Sequence, residues 1–417
     1  MNTLSNGDVA VAFNVQDSID FDPGPGTNWH VATTLGVSGF FLSRVDPQGN
    51  LLWTEEIGGS GACVAQFLEK DPSDHIYVSG IFSGNIDFDP GPGLTALFAN
   101  VAWSRFIAKY SPSGQLIWVR EFAKPIHLNG RSIAVDDSGS VYAAMEFDGN
   151  FDVDPGPGSV IVQNPGFFSG YDLVIVKLDS AGIFQWVSQI EGNGNILDPE
   201  IGCDSAGSTV VVARLNGTAD LDPGPGNYSV TGGNSNSLIV KLDSMGDFIW
   251  GGLTAGHHQF GRNAMHVDDQ GNIYRTGFHS GGDFDPGVGT TTLANTGMGP
   301  DAYVQKIDPT GNLAWAANLE GDGGLEGLAV TSDIAGNVYA TGASGISIDL
   351  DPGPGTYTVS GSAGEHSFLL KLDSGGNFVW ATGFESSATN EGRSISVHGL
   401  HQIYIHGYFT TWMDFDP

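Results

Sequence analysis

The chain has 417 residues, with 47 Asp+Glu against 15 Lys+Arg and a formal net charge of −32 at pH 7. Binding a polyanion requires Lys and Arg to neutralise its phosphates, so this charge excludes nucleic acid and anionic membrane faces as partners. Hydrophobic residues make up 40% of the chain, enough for a large core, which excludes disorder; no apolar run approaches the ~20 residues of a membrane span, so no membrane insertion is expected.

Residues 1–19 lack the basic start and apolar run of a secretion signal. The first predicted strand is DVAVAFNV (8–15), followed by IDFDPGPG (19–26) and FLSRVDPQGNLLW (41–53). In the last segment, apolar and polar residues alternate on either side of Asp-Pro-Gln-Gly. That is the pattern of two half-buried strands joined by a tight turn, with Asp bonding its own backbone and Gly taking a positive φ.

The same succession recurs to the end of the chain, which decides the architecture. Asp-x-Asp-Pro begins at Asp20, Asp87, Asp152, Asp220, Asp283, Asp349 and Asp414, at spacings of 67, 65, 68, 63, 66 and 65. The hairpin returns as FIAKYSPSGQLIW (106–118), VIVKLDSAGIFQW (174–186) and FLLKLDSGGNFVW (368–380), so Trp53, Trp118, Trp186, Trp250, Trp315 and Trp380 hold one structural position. A second hairpin ends in DHIYVSGIF (74–82), SVYAAMEF (140–147), NIYRTGFH (272–279), NVYATGAS (337–344) and QIYIHGYF (402–409). Two hairpins give four strands per unit, and no segment has useful helical periodicity. The predicted class is all-β: a β-propeller of six or seven four-stranded antiparallel blades, forming a single domain over 1–417. Solenoid units are shorter than this repeat. The blade number stays open. Closing the last blade with the first hairpin gives six and leaves the strand at 8–15 redundant, whereas a chain ending midway through a motif at Pro417 fits an excerpt of a seven-bladed domain. Cys63 and Cys203 fall in equivalent stretches of different repeats, so no disulfide is expected between them.

The repeated acids carry the site expectation. In Asp-x-Asp the two carboxylates lie at i and i+2 on one face of an extended strand, with Phe, Val or Leu between them anchoring the loop from the other. The Pro-Gly-Pro-Gly that follows offers few N–H groups and many free carbonyls. Carboxylates and carbonyls in a tight loop suit Ca²⁺. The expected ligands are Asp20, Asp22, Asp87, Asp89, Asp152, Asp154, Asp220, Asp222, Asp283, Asp285, Asp349, Asp351, Asp414 and Asp416. The competing expectation is that these acids cap a turn that the prolines stiffen.

The six-fold basic position, Arg44, Lys109, Lys177, Lys241, Lys306 and Lys371, is expected to form ion pairs or pack its stem. None of the histidines has zinc-site spacing. Unrepeated loops at 192–200, with Asp198 and Glu200, and at 256–263, with His257, His258 and Arg262, are the candidates for a ligand at a channel mouth.

The pattern apolar-Ala-Val-Asp-x-x-Gly-x-apolar-Tyr-x-x-Gly, followed by Phe-apolar-x-Lys-apolar-Asp-x-x-Gly-x-x-x-Trp, resembles the SBBP, or seven-bladed β-propeller, repeat of bacterial secreted and surface proteins. It fits best at 106–147 and 368–409, and less well where EKDPSDH (69–75) replaces the usual turn and where Ser111 stands for the turn Asp. The resemblance implies an extracellular or cell-surface module without catalytic activity, serving adhesion, scaffolding or protein interaction. Two alternatives remain beside it: a carbohydrate-binding or carbohydrate-active propeller, and a subunit that self-associates into filaments by strand addition. The expected partners are accordingly a protein or polysaccharide at the cell surface, or a second copy.

Overall fold

The structure, a computed structural model, describes all residues except 16–17, 23, 25, 32–38, 100, 124–132, 165–169, 234–235, 258–263, 296–298, 361–365, 385–388, 401 and 411–417. It divides into two compact units, Met1–Gln189 and Ile190–Pro417.

The first unit carries three blades. The first blade pairs Asn2–Thr3, Val9–Val15, Gly39–Val45 and Leu51–Gly59 in that order, and the second pairs Cys63–Lys70, Ile76–Phe82, Ser104–Tyr110 and Leu116–Phe122. The third is built from Ile133–Val135, Val141–Phe147, Asp172–Leu178 and Phe184–Gly192, the last of these running past the unit boundary. In the second unit the fourth blade holds Asn195–Cys203, Thr209–Asp220, Asn236–Leu242 and Phe248–Ala255. The fifth holds Met265–Val267, Ile273–His279, Asp301–Ile307 and Leu313–Leu319; the sixth holds Leu325–Ser332, Val338–Ser344, His366–Leu372 and Phe378–Phe384. A seventh sheet, among the described residues, has two strands, Asn390–His398 and Gln402–Phe409. These are the antiparallel blades of a β-propeller. The strand at 8–15 is not redundant: it is the second strand of a four-stranded first blade.

The hairpin turns follow the sequence. At Asp46, Oδ1 accepts the N–H groups of Gln48 and Asn50 at 2.9 and 2.8 Å, and Gly49 supplies φ 86°. Ser111 performs the same service with its hydroxyl, taking Ser113 N–H and Gln115 N–H. At 69–75, Asp74 occupies the left-handed position with φ 60° where other turns place Gly.

Within each unit the core lies between successive blades. Leu4, Ala10, Phe40 and Ile57 of the first blade pack on Cys63, Val78, Phe106 and Tyr110 of the second. Tyr274, Ala302 and Val304 of the fifth likewise meet Leu325, Val330 and Ala340 of the sixth. The middle strands Ile76–Phe82 and Ser104–Tyr110 are buried along their whole length, covered on both faces. Neither cysteine forms a disulfide.

Candidate functional site

Between the second and third strands of a blade, each of the six described Asp-x-Asp-Pro motifs opens a short ribbon. In the second blade this ribbon is Asn85–Asp87 paired with Ala96–Phe98. Its position is fixed by the preceding blade: Gly58 and Gly59, at the end of the first blade's outer strand, pair with Asp87 and Ile86. The same pairing joins Glu191 and Gly192 to Asp220 and Ala219, and Gly321 and Asp322 to Ile348 and Ser347. In these three places the ribbon caps the edge of the preceding strand, where an unpaired strand would otherwise invite association.

Within the ribbon both acids face their own loop. Oδ1 of the first Asp accepts two backbone N–H groups, at i+2 and i+8: Asp22 and Asn28 for Asp20, Asp89 and Thr95 for Asp87, and Asp154 and Val160 for Asp152. Asp220, Asp283 and Asp349 repeat the pattern with Asp222 and Tyr228, Asp285 and Thr291, and Asp351 and Tyr357. Oδ1 of the second Asp accepts the first loop glycine at 2.8 Å in all six described copies. Its other oxygen lies over the second glycine, where a methyl group on Gly93 or Gly226 would strike it. This is why the loop requires that glycine. The residue between the acids is buried in each case, Phe21, Phe88, Val153, Leu221, Phe284 and Leu350, as expected. Asp414 and Asp416 lie outside the described residues. Among the described residues no group of three or more His, Cys, Asp or Glu is gathered at metal-binding distance.

The basic position is spent on ion pairs and blade contacts. Lys109 Nζ lies 3.3 Å from Asp71, stands over the Tyr77 ring, and donates to Ser180 O of the next blade at 3.4 Å. Arg44 pairs with Asp8 and donates to Pro112 O at 2.8 Å; Lys241 pairs with Asp204 and reaches Pro309 O. Lys177, Lys306 and Lys371 stand over Tyr142, Tyr274 and Tyr339. The turn carboxylates hold these tyrosines in turn: Asp136 accepts the Tyr142 hydroxyl at 2.9 Å and Asp333 accepts that of Tyr339 at 3.0 Å. Burial works against the Asp136 and Asp333 charges. Hydrogen bonds, led by Ser138 and Asn337 respectively, outweigh it and hold both carboxyls below the usual range.

The unrepeated acids behave differently. Asp198 and Glu200 flank a bulge in the inner strand Asn195–Cys203, and Asp198 has φ 57°. Asp198 Oδ2 lies 2.8 Å from Arg214 Nε. Glu200 is 6% exposed and takes the backbone N–H groups of Ala264 and Met265, while Arg275 and Tyr303 of the fifth blade are 1% and 0% exposed. Burial raises Glu200 to about 8, although Arg275 pulls in the other direction. Arg275 Nη1 donates to Gln305 Oε1 at 3.1 Å. Sequence reasoning singled out Asp198 and Glu200 but missed Arg275, Tyr303 and Gln305. The signal was present: in the repeat, Arg275 stands where Val78, Ala143, Val211 and Ala340 stand. His257 pairs as a bridge with Phe278; His258 and Arg262 lie outside the described residues.

Two open grooves of about 650 and about 750 Å³ run along the outer strand Leu116–Phe122. They are lined by Val119, Arg120, Ile183, Phe184 and the ribbon acids Asp89, Asp152 and Asp154. Arg120 is held against the turn by the carbonyls of Gly182 and Ala181.

No family model matches the chain. It is 22% identical over 391 residues to an uncharacterized WD repeat-containing protein of Acanthamoeba polyphaga mimivirus, a match covering 88% of this chain and 26% of that protein. The chain thus spans about a quarter of the length of its curated relative. Among solved structures, the WD40 domain of Neurospora crassa Pan2 matches with TM-score 0.28 and 10% identity over 67% of this chain and 75% of that one. An exotype rhamnogalacturonan lyase, YesX, matches with TM-score 0.25 and 12% identity over 89% and 70%. The expected kinship with bacterial SBBP repeats is therefore corrected: no such family matches, and the curated relative is a viral WD repeat protein. The residues that suggested kinship serve the blades locally: the turn Asp and Gly shape the hairpin, the buried-strand Tyr bonds the turn carboxylate, and the outer-strand Trp bonds the next blade's turn.

Proposed function

We propose that the chain is a non-catalytic propeller module that binds a protein partner along its outer strands. The observation that carries this reading is a division of labour within the repeat. Its polar side chains are engaged inside the molecule, while the residue before the Trp is an exposed aliphatic at Leu52, Ile117, Ile249 and Val379. Ile117 borders a groove beside the ribbon acids, an apolar strip with a charged rim of the kind partners use. A photo-crosslinker at position 117, compared with one at exposed Met245, tests this. A partner captured only at 117, whose affinity drops at least ~10-fold in Ile117→Lys while the melting temperature holds, supports the reading. Capture at both positions alike, or an affinity that Ile117→Lys leaves unchanged, overturns it.

An extracellular, calcium-stabilised setting is the finer part of the proposal. Asp154→Asn and Asp222→Asn keep an oxygen for Gly156 and Gly224 while removing the charge a cation needs. A Ca²⁺-dependent rise in melting temperature that shrinks in this variant supports calcium. Equal melting with and without Ca²⁺ in both proteins reduces the ribbons to turn architecture.

A further inference from the structure

We infer that Glu200, Arg275 and Tyr303 enclose one ordered water molecule at the junction of the fourth and fifth blades. Glu200 Oε1, Arg275 Nη2 and Tyr303 Oη are all shut off from solvent and lack a well-aligned hydrogen bond within the protein, the Tyr303 hydroxyl reaching the Arg275 side chain only loosely. The neighbouring atoms are occupied: the Glu200 carboxyl takes the N–H groups of Ala264 and Met265, and Arg275 Nη1 donates to Gln305. Gln305 is itself fixed by the carbonyl of Phe284 and the hydroxyl of Thr254. The Arg275 guanidinium lies 5.8 Å from the centre of the Tyr303 ring, and Glu200 interacts electrostatically with both. One donor, one carboxyl oxygen that donates when protonated and accepts when ionised, and one hydroxyl that can do either make a complementary set. A water accepting from Arg275 and bonding Glu200 and Tyr303 would have the three partners usual for a buried water.

The repeat shows that this polarity belongs to one junction. Three of the four equivalent positions are Val78, Phe106 and Ala108 in the second blade, facing the first. All four are Phe67, Ala143, Val174 and Val176 between the second and third, and Ala264, Ala340, Phe368 and Leu370 between the fifth and sixth. Those three junctions are closed by hydrocarbon. Only the fourth blade set against the fifth brings Glu200, Arg275, Tyr303 and Gln305 together.

The next junction also supplies the test. The variant Glu200→Ala, Arg275→Ala, Tyr303→Phe, Gln305→Leu installs the residues that close the fifth and sixth blades. Long-lived internal waters are counted by oxygen-17 magnetic relaxation dispersion on the full chain, with a high-resolution crystal structure of the unmodified protein alongside. One fewer long-lived water in the variant, with density bonded to all three side chains in the unmodified protein, is the expected result. An equal count, or a crystal structure in which Glu200 bonds Arg275 directly with no solvent between them, overturns the proposal. If the quadruple variant does not fold, Tyr303→Phe decides: Phe already fills the equivalent position 368, so the fold should hold. The water, left with two partners, should then exchange at least several-fold faster, and an unchanged residence time overturns the assignment.

Discussion

The indole Nε1 of Trp118 donates to the carbonyl of Ser180 in the following blade at 3.0 Å. Trp250 makes the same bond to Pro309 O and Trp315 to Ser374 O, each at 3.1 Å. The outer strand of one blade is thereby joined to a turn of the next, and the hydrophobic ring and its polar atom serve the same junction. Trp118→Phe should cost ~1 kcal/mol for the lost hydrogen bond, and Trp118→Ala ~3–5 kcal/mol because it also opens a cavity. Urea unfolding of the two variants separates the contributions. Equal losses would show that the ring contributes nothing beyond its N–H.

The same ring explains a glycine. Gly182 has φ 73°, and a methyl group there would stand 3.0 Å from the Trp118 indole, whereas Gly49, with φ 86°, has nothing within 4 Å of the equivalent point. Both glycines avoid the ~1–2 kcal/mol penalty of a left-handed L-residue. Gly182→Ala should therefore destabilise the protein more than Gly49→Ala, and the difference measures the ring contact alone. Thermal melts that drop equally would place the whole cost in the backbone.

These two residues mark where the sequence was legible. The periodic Trp and the Asp-x-x-Gly turns foretold four-stranded blades, because Asp and Gly favour such a turn and recur at nearly every one, with Ser111 and Asp74 as stand-ins. The Asp pairs were only half legible. Spacing put Asp87 and Asp89 together, but not which atoms they face, and the amides of Asp89, Thr95 and Gly91 became visible as their partners only once the ribbon had folded back. Glu200 and Arg275 were further from reach, since 75 positions separate them and a neighbouring blade brings them together. The family reading rested on the turn pattern, whose residues also do local structural work, and no family model supports it.

The ribbon bonds give a third prediction. Asp87→Ala removes an oxygen that accepts from both Asp89 N and Thr95 N, leaving two amides to water and costing ~1–3 kcal/mol. Asp87→Asn keeps an acceptor there and should cost less than half as much. Denaturant melts with a chelator present isolate this turn contribution from any cation. Ala and Asn variants of equal stability would mean that charge, and not the backbone bonds, holds the ribbon.

The last prediction concerns pH. The folded protein raises Glu200 from 4.5 to about 8, through burial first and the nearby Asp198 charge in smaller part, against the opposing pull of Arg275. Tyr303 also faces it, with its own ionisation pushed upward by burial. Between those two values the folded chain holds a proton that the unfolded chain has released, so raising the pH across this window favours unfolding. This contribution is complete below about 4.5 and lost above about 8. Asp136 and Asp333, whose carboxyls are depressed, act with the opposite sign and withdraw their support only as the pH falls below the ordinary carboxylate range. From pH 5 to pH 8 the unmodified protein should therefore lose stability relative to Glu200→Gln, which cannot ionise, while the acid limb stays the same in both. Denaturation midpoints measured across the range decide it. Parallel profiles for the two proteins would mean that Glu200 remains ionised throughout, with Arg275 prevailing over burial.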